Sequence, residues 1–264
     1  MKRSLIFILV ISIVLIACNK NVSQNAEFKL ADNYFTYIKF IHAYPYATPS
    51  YSIPANGPTI QLTYNNAQFS ATPISLGGTF PASPGYAASD RGITITDLGL
   101  RMSTGIPPAA VKDSFLFTTP TAYVRGKYYS YFFVDSIPNS TKRMLVVEDD
   151  IKTPNGPSLY RIRFVNLLLN MPTATPVLDL YSTRAKSVIF TGIPSRGVTP
   201  FIELPIQGVN TPDTLQLRYT GSSTALATLN TVSLQGQISL TVFARGLVGA
   251  TGTRAPGIST YRNR

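Results

Sequence analysis

The side chains best suited to chemistry fall into a few groups. His42 is the one histidine of the chain, and an imidazole serves either as a general base or as a hydrogen-bonded structural residue. Glu148-Asp149-Asp150 is the one acidic cluster, and carboxylates are ligands for hard cations such as calcium. Asp90 with Asp97, or Glu148 with Asp150, would supply the two carboxylates of glycoside hydrolysis. Tyr44, Tyr46, Tyr51, Phe80 and Tyr86 stand in Pro/Gly-rich loops, where an exposed ring can stack on a sugar face. Each group has a plainer reading. The acidic run lacks the alternate ligand spacing around a Gly that marks a calcium loop, so a solvated strand end is expected. Nothing in the sequence sets the separation of either carboxylate pair, and loop aromatics can simply cover the ends of a β-sandwich. No Ser-His-Asp arrangement or histidine metal site can be assembled without His42. The expectation is therefore a chain that is not an enzyme, with no catalytic residues, metal or cofactor, in which the five loop aromatics are the candidate ligand-binding residues.

Composition indicates which elements must position these residues. The 264 residues are 44% hydrophobic and only 13% charged, with 15 Tyr, 14 Phe, 18 Gly and 20 Pro. Such a composition favours short strands with many turns, and no stretch beyond the N-terminus has sustained helical periodicity. Tyr37 to His42 alternates, with Ile38, Phe40 and His42 on one face and Tyr37, Lys39 and Ile41 on the other. Further strands are expected at Thr59–Tyr64, Gly92–Thr96, Asp113–Phe117, Lys127–Val134 and Arg143–Val147. Later ones are expected at Val177–Tyr181, Ser187–Phe190, Pro200–Leu204, Thr214–Tyr219, Ala225–Leu234 and Gln237–Ala244. The fold expected is all-β, two tandem immunoglobulin-like β-sandwich domains.

An internal repeat supports the division. Tyr37-Ile-Lys-Phe-Ile-His42 is echoed by Arg161-Ile-Arg-Phe-Val-Asn166, each followed by an Ala-Thr-Pro loop. Gly126-Lys-Tyr-Tyr-Ser-Tyr-Phe-Phe-Val134 aligns with Gly236-Gln-Ile-Ser-Leu-Thr-Val-Phe-Ala244 near the end of each copy. Lys152-Thr-Pro-Asn-Gly-Pro-Ser158 is a Pro/Gly-rich segment just before the second copy. The expected modules are 35–151 and 159–264, with 152–158 as a hinge. The repeat sets His42 against Asn166, and Asn is no general base near neutral pH, so a structural role is expected for His42.

The N-terminus carries an address. Met1-Lys-Arg3 is a basic head, and the apolar run Leu5–Ile16 is shorter than the ~20 residues a spanning helix needs. This fits a secretory signal peptide. Its end, Leu15-Ile16-Ala17-Cys18, resembles a bacterial lipobox, which implies cleavage after residue 17 and lipidation of Cys18, the single cysteine. Residues 18–34 then read as the lipidated Cys and a polar tether, and several acyl chains give effectively permanent anchoring. Formal charge is +11; removal of Lys2 and Arg3 leaves 21 basic against 12 acidic residues, a net of +9. The basic residues are scattered, so a nucleic-acid partner is not expected.

Ile162-Arg-Phe-Val-Asn166, the Pro-containing loop to Val177-Leu-Asp-Leu-Tyr181, Val198-Thr-Pro-Phe201 and Leu240-Thr-Val-Phe-Ala-Arg-Gly246 resemble the family called domain of unknown function 4397. The first copy is similar mainly in Ile38–Pro49, Gly126–Val134 and Met144–Asp150, and its middle is longer. The resemblance implies extracytoplasmic β domains on Bacteroidota-type lipoproteins, lipid-anchored in the outer membrane on its periplasmic or outer face. The function expected is a non-catalytic binding or structural module whose partners are the membrane, through Cys18, and an envelope protein. The alternative is a glycan-binding accessory lipoprotein of a polysaccharide-uptake system.

Overall fold

The computed structural model of the protein describes residues 35–45, 59–64, 67–68, 70, 72–82, 84–88, 98–102, 115–119, 124, 126–134, 144–172, 177–206 and 212–264. Over these residues the chain is all-β, and its one helical element is a 3-10 turn at Gly252–Arg254. The first half contributes β1 (Tyr37–His42), β2 (Ile60–Tyr64), β3 (Ala67–Gln68), β4 (Thr79–Phe80), β5 (Ala87–Ala88), β6 (Leu98–Met102), β7 (Phe115–Thr119), β8 (Tyr128–Phe133) and β9 (Met144–Glu148). The second contributes β10 (Leu159–Asn166), β11 (Val177–Ser182), β12 (Ser187–Pro194), β13 (Ile202–Pro205), β14 (Asp213–Tyr219), β15 (Ala225–Val232), β16 (Ser239–Arg245) and β17 (Gly257–Arg262).

One pairing scheme occurs twice. In the first half a sheet runs β4-β1-β8-β9, with β5 also on β1, and a second sheet runs β3-β2-β6-β7. In the second half the orders are β13-β10-β16-β17 and β12-β11-β14-β15. In each half the opening strand pairs in parallel with a late one, β1 with β8 and β10 with β16, and the other pairings between these strands, among the described residues, are antiparallel. Ile38 faces Tyr129 as Ile162 faces Leu240, which makes Ile38 equivalent to Ile162 and Tyr129 to Leu240.

These registers correct the alignment of the late strands by one residue. Gly126 is equivalent to Gln237, because Gly126 N–H donates to Phe35 O just as Gln237 N–H donates to Leu159 O. Both residues take a left-handed backbone, at φ 73° and 63°. Gly236 is a glycine for a different reason: a Cβ there would lie 1.9 Å from Pro157 O. The two glycines have unrelated causes, so aligning them is a false match, and a one-residue slip reverses the faces of a strand.

The central strands are buried on both faces, as parallel pairs usually are. On one face, Ile38, Phe40, Tyr129, Tyr131 and Phe133 pack with Ile60 and Leu62 of the facing sheet. Ile162, Phe164, Leu240 and Val242 do the same against Leu178, Leu180, Leu215 and Leu217. Each half is thus a β-sandwich about its own core. The opposite faces form a third cluster, in which Ile41, Ala43, Phe132 and Val134 meet Val165, Leu167, Phe243 and Tyr261. The Phe132 and Phe243 rings meet edge to face at 6.1 Å, and burying each contributes about 1.5–3 kcal/mol. The halves therefore adjoin through an apolar core.

Several expectations on strands shift. β17 was not foreseen, since Gly257–Arg262 carries only Ile258 and Tyr261 as buried apolar residues. β6 lies at Leu98–Met102, while Gly92–Thr96 falls outside the described residues. The segment between the halves is fastened. Arg161 Nη1 donates to Asp150 O and Lys152 O at 2.9 and 3.2 Å, and Asn155 Nδ2 to Glu203 Oε2 at 2.9 Å.

Candidate functional site

Around the apolar contact the junction carries a row of polar side chains from each half. Lys39, Ser130 and Asp149 form the first row; Arg163, Thr241 and Asn263 occupy the equivalent positions in the second. All six are buried. Arg163 Nη2 lies 2.5 Å from Asp149 Oδ1, and the two side chains are 3% and 0% exposed. The two form a buried ion pair, and among the described residues Oδ1 has no other polar partner. Asp149 Oδ2 accepts from Ser130 Oγ at 2.5 Å and from Tyr86 OH at 2.6 Å. Ser130 has one proton and gives it to Asp149, so Tyr261 OH, 2.8 Å away, donates to Ser130 Oγ. Arg163 Nε donates to Thr241 Oγ1 at 2.9 Å, Thr241 to Asn263 Oδ1 at 2.7 Å, and Asn263 Nδ2 to Tyr86 OH at 2.6 Å. The network links Tyr86, Ser130 and Asp149 of one half with Arg163, Thr241, Tyr261 and Asn263 of the other.

Electrostatics follow from burial. Loss of water pushes the Asp149 carboxyl above its ordinary range, while Arg163, Ser130 and Tyr86 pull it back. Burial would lower the Arg163 pKa, but Tyr261, Asp149 and Tyr86 outweigh it and hold the guanidinium protonated. The carboxylate form of Asp149 is the one that balances that charge. Burial also pushes the Tyr86 and Tyr261 phenols well up. Lys39 Nζ donates to Pro81 O at 2.7 Å and Gly85 O at 3.0 Å. Desolvation brings its pKa down to about 8.

The candidate residues of the sequence take these places. Asp149 is no solvated strand end: it is 5% exposed, and its carboxylate lies inside the junction. Glu148 does face water, paired with Lys127 at 2.6 Å, and Asp150 pairs with Arg161 at 2.9 Å. The Glu148 and Asp150 carboxylates thus each already hold a cation. His42 Nδ1 accepts from Tyr44 N–H at 3.4 Å, and Asn166 Oδ1 accepts from Leu168 N–H at 3.1 Å, the same two-residue step. The two side chains play one part in the framework. Tyr44 is 2% exposed and packs in the first core, tilted on Phe133 at 4.7 Å, so its ring offers no free face. Phe80 is half-buried against that core, and Tyr86 has its hydroxyl in the junction network. Cys18, Tyr46, Tyr51, Asp90 and Asp97 lie outside the described residues. Among the described residues, no three His, Cys, Asp or Glu side chains group to hold a metal ion.

Sequence reasoning missed Lys39, Arg163, Asp149 and Asn263 as a set. One signal was present: Ile38-Lys-Phe40 and Ile162-Arg-Phe164 place a cation inside a strand that is apolar on both sides. A charge in such a strand requires a buried partner.

Beside the network a cavity of ≈ 310 Å³ lies between the halves, with Lys39 and Thr79 on one side and Asn230, Ser233, Thr260 and Arg262 on the other. Val232 and Leu240 supply an apolar wall. Thr231 on its rim takes φ 57°, a left-handed backbone rare for a β-branched residue.

No family model and no curated protein matches the chain. Among solved structures, the Bacillus anthracis TIE protein matches 85% of this chain and 34% of its own at 8% identity, with a TM-score of 0.20. The chain thus spans about a third of that protein, and a likeness at this level carries no functional argument.

Proposed function

We propose that the protein is a non-catalytic cell-envelope lipoprotein, two tandem immunoglobulin-like β-sandwich modules anchored in the outer membrane through Cys18. One observation carries the non-catalytic part: the best chemical groups are built into the framework. His42 holds the Tyr44 amide, Asp149 pairs with Arg163, and Lys39 is bound to two carbonyls. A general base or nucleophile must reach a substrate proton or carbon, and these groups are instead engaged by partners within the fold. The anchoring part rests on the lipobox-like residues, and the placement among Bacteroidota-type envelope proteins on the resemblance to domain of unknown function 4397.

Membranes from cells producing a tagged chain supply the test. The chain should sediment with the outer membrane, carry acyl groups on residue 18, and yield a specific crosslinked neighbour. Protease treatment of intact cells then assigns the face. A soluble chain with an unmodified Cys18 thiol would refute the anchor, and turnover of any substrate by the purified chain would refute the non-catalytic reading.

The cleft between the halves favours the second reading, a glycan-binding accessory lipoprotein, because it gathers hydroxyl, amide and cationic side chains in one concave place.

A further inference from the structure

We propose that the cleft between the two halves binds an acidic saccharide, a sugar unit bearing a carboxylate among its hydroxyls. This rests on the binding-module reading above and deepens its glycan form. The first support is charge. Among the described residues that line the cleft there are two cations, Lys39 and Arg262, and no carboxylate. Arg161, Arg163 and Arg245 are each held by hydrogen bonds within the fold. Arg262, half-buried on β17, makes none and no ion pair with any described residue. A guanidinium in that state presents a planar fork of donors matched to a carboxylate.

The second support is a set of uncommitted polar groups. The side chains of Asn230, Ser233 and Thr260 line the cleft and make no hydrogen bond among the described residues. Amide and hydroxyl groups both donate and accept, as sugar hydroxyls do. The third is shape. A volume of ≈ 310 Å³ is at the lower end of ligand pockets, roughly 300–1,000 Å³, so one small unit fits. Thr231 holds its left-handed backbone at the rim, its Oγ1 donating to Asn230 O at 2.7 Å. Strained residues of this kind cluster at ligand clamps. Both halves contribute walls, and the buried network keeps the cleft formed before a ligand arrives, which reduces the ordering cost of binding.

The test is calorimetric titration of the purified full chain in detergent with galacturonate oligomers, free galacturonate and neutral galactose oligomers. The acidic ligands should bind and the neutral ones should not. Binding should weaken in ~1 M salt, where the screening length falls to about 3 Å. Arg262→Gln should lower affinity by roughly tenfold or more. Should circular dichroism show Arg262→Gln misfolded, Asn230→Ala at an exposed position serves instead, with a loss of roughly threefold to tenfold expected. Oligomers binding more tightly than free galacturonate points to a polymer as the source, and equal affinity to a free sugar acid. Acidic binding indifferent to a folded Arg262→Gln, or to Asn230→Ala where that variant stands in, overturns the assignment to this cleft, as does a complete absence of acidic binding. Neutral oligomers binding equally well also overturn it, while leaving the general glycan reading intact. The membrane crosslinking above tests the module reading separately.

Discussion

Replacing Arg163 by Met removes the charge at the centre of the junction while keeping an unbranched side chain of similar length. The change leaves Asp149, whose side chain is 0% exposed, without its counter-ion. It also removes the donors that reach Thr241 Oγ1 at 2.9 Å and Tyr261 OH at 3.1 Å. Removing one partner of a buried ion pair costs about 3–5 kcal/mol, because the remaining charge is stranded. Since Met refills most of the volume, the cavity contribution is small, and a loss near 4 kcal/mol is expected for Arg163→Met. Asp149→Leu should cost a similar amount, since Arg163 is then the stranded charge at 3% exposure. The double variant replaces both charges by apolar groups and should be far more stable than the sum of the single losses implies. Equilibrium unfolding in urea, with a common slope, measures all four species. Against a typical total stability of about 5–15 kcal/mol, each single loss is large and easily read. Single losses below about 1 kcal/mol, or a double loss equal to the sum within about 0.5 kcal/mol, would show that these side chains act independently and refute a buried pair joining the halves.

Other perturbations test other parts of the structure. Lys39 has its pKa lowered from 10.5 to about 8. The unfolded chain thus binds more protons than the folded one between those values, and stability rises with pH across that window. The rise should be at most about 3 kcal/mol, and it should vanish in Lys39→Met, with urea midpoints at pH 7.5 to 9.5 deciding the matter. Past pH ~10 the raised phenols of Tyr86 and Tyr261 reverse the slope, because the unfolded tyrosines lose their protons first. His42→Asn should cost less than about 1 kcal/mol, since Asn does the same work at the equivalent Asn166, whereas His42→Leu removes the acceptor and should cost about 1–3 kcal/mol. Thermal unfolding separates the two, and a heavy loss in His42→Asn would mean that the imidazole has another role. Gly236→Ala places a methyl 1.9 Å from Pro157 O and should lower stability by about 1–3 kcal/mol. An unchanged midpoint would place Pro157 elsewhere.

The sandwich of each half was legible because its signal is local. Alternation in Tyr37–His42, Ile162–Phe164 and Val177–Tyr181 gives strands whose apolar faces must be covered. The junction was only half legible. Tyr37, Lys39 and Ile41 could be assigned to one face, but whether that face meets water or another sheet depends on long-range packing that no window of sequence contains. Asp149 shows the difference most clearly. Its neighbours Glu148 and Asp150 are solvent-facing carboxylates, and nothing in a three-residue acidic run distinguishes the middle member that points into the protein. The position only becomes special through β9 pairing with β8, which sets Asp149 beside Ser130. β17 was hidden for the opposite reason, since an edge strand needs few apolar residues. Of the loop aromatics, Tyr44 and Tyr86 are read from the sequence as rings for sugar stacking, and the structure gives both another part. One fills a core and the other extends the polar network.

The two polar rows occupy equivalent positions, yet they are not equivalent in charge. The first half brings a cation and a carboxylate, Lys39 and Asp149; the second brings a cation and a neutral amide, Arg163 and Asn263. Two copies of the second half meeting through this face would bury two guanidiniums with no carboxylate between them, at a cost of several kcal/mol per ion. Only the first half completes the face. Asn263, at the position equivalent to Asp149, therefore acts as discrimination: it disfavours two second halves meeting through this face, while a first half supplies the matching carboxylate.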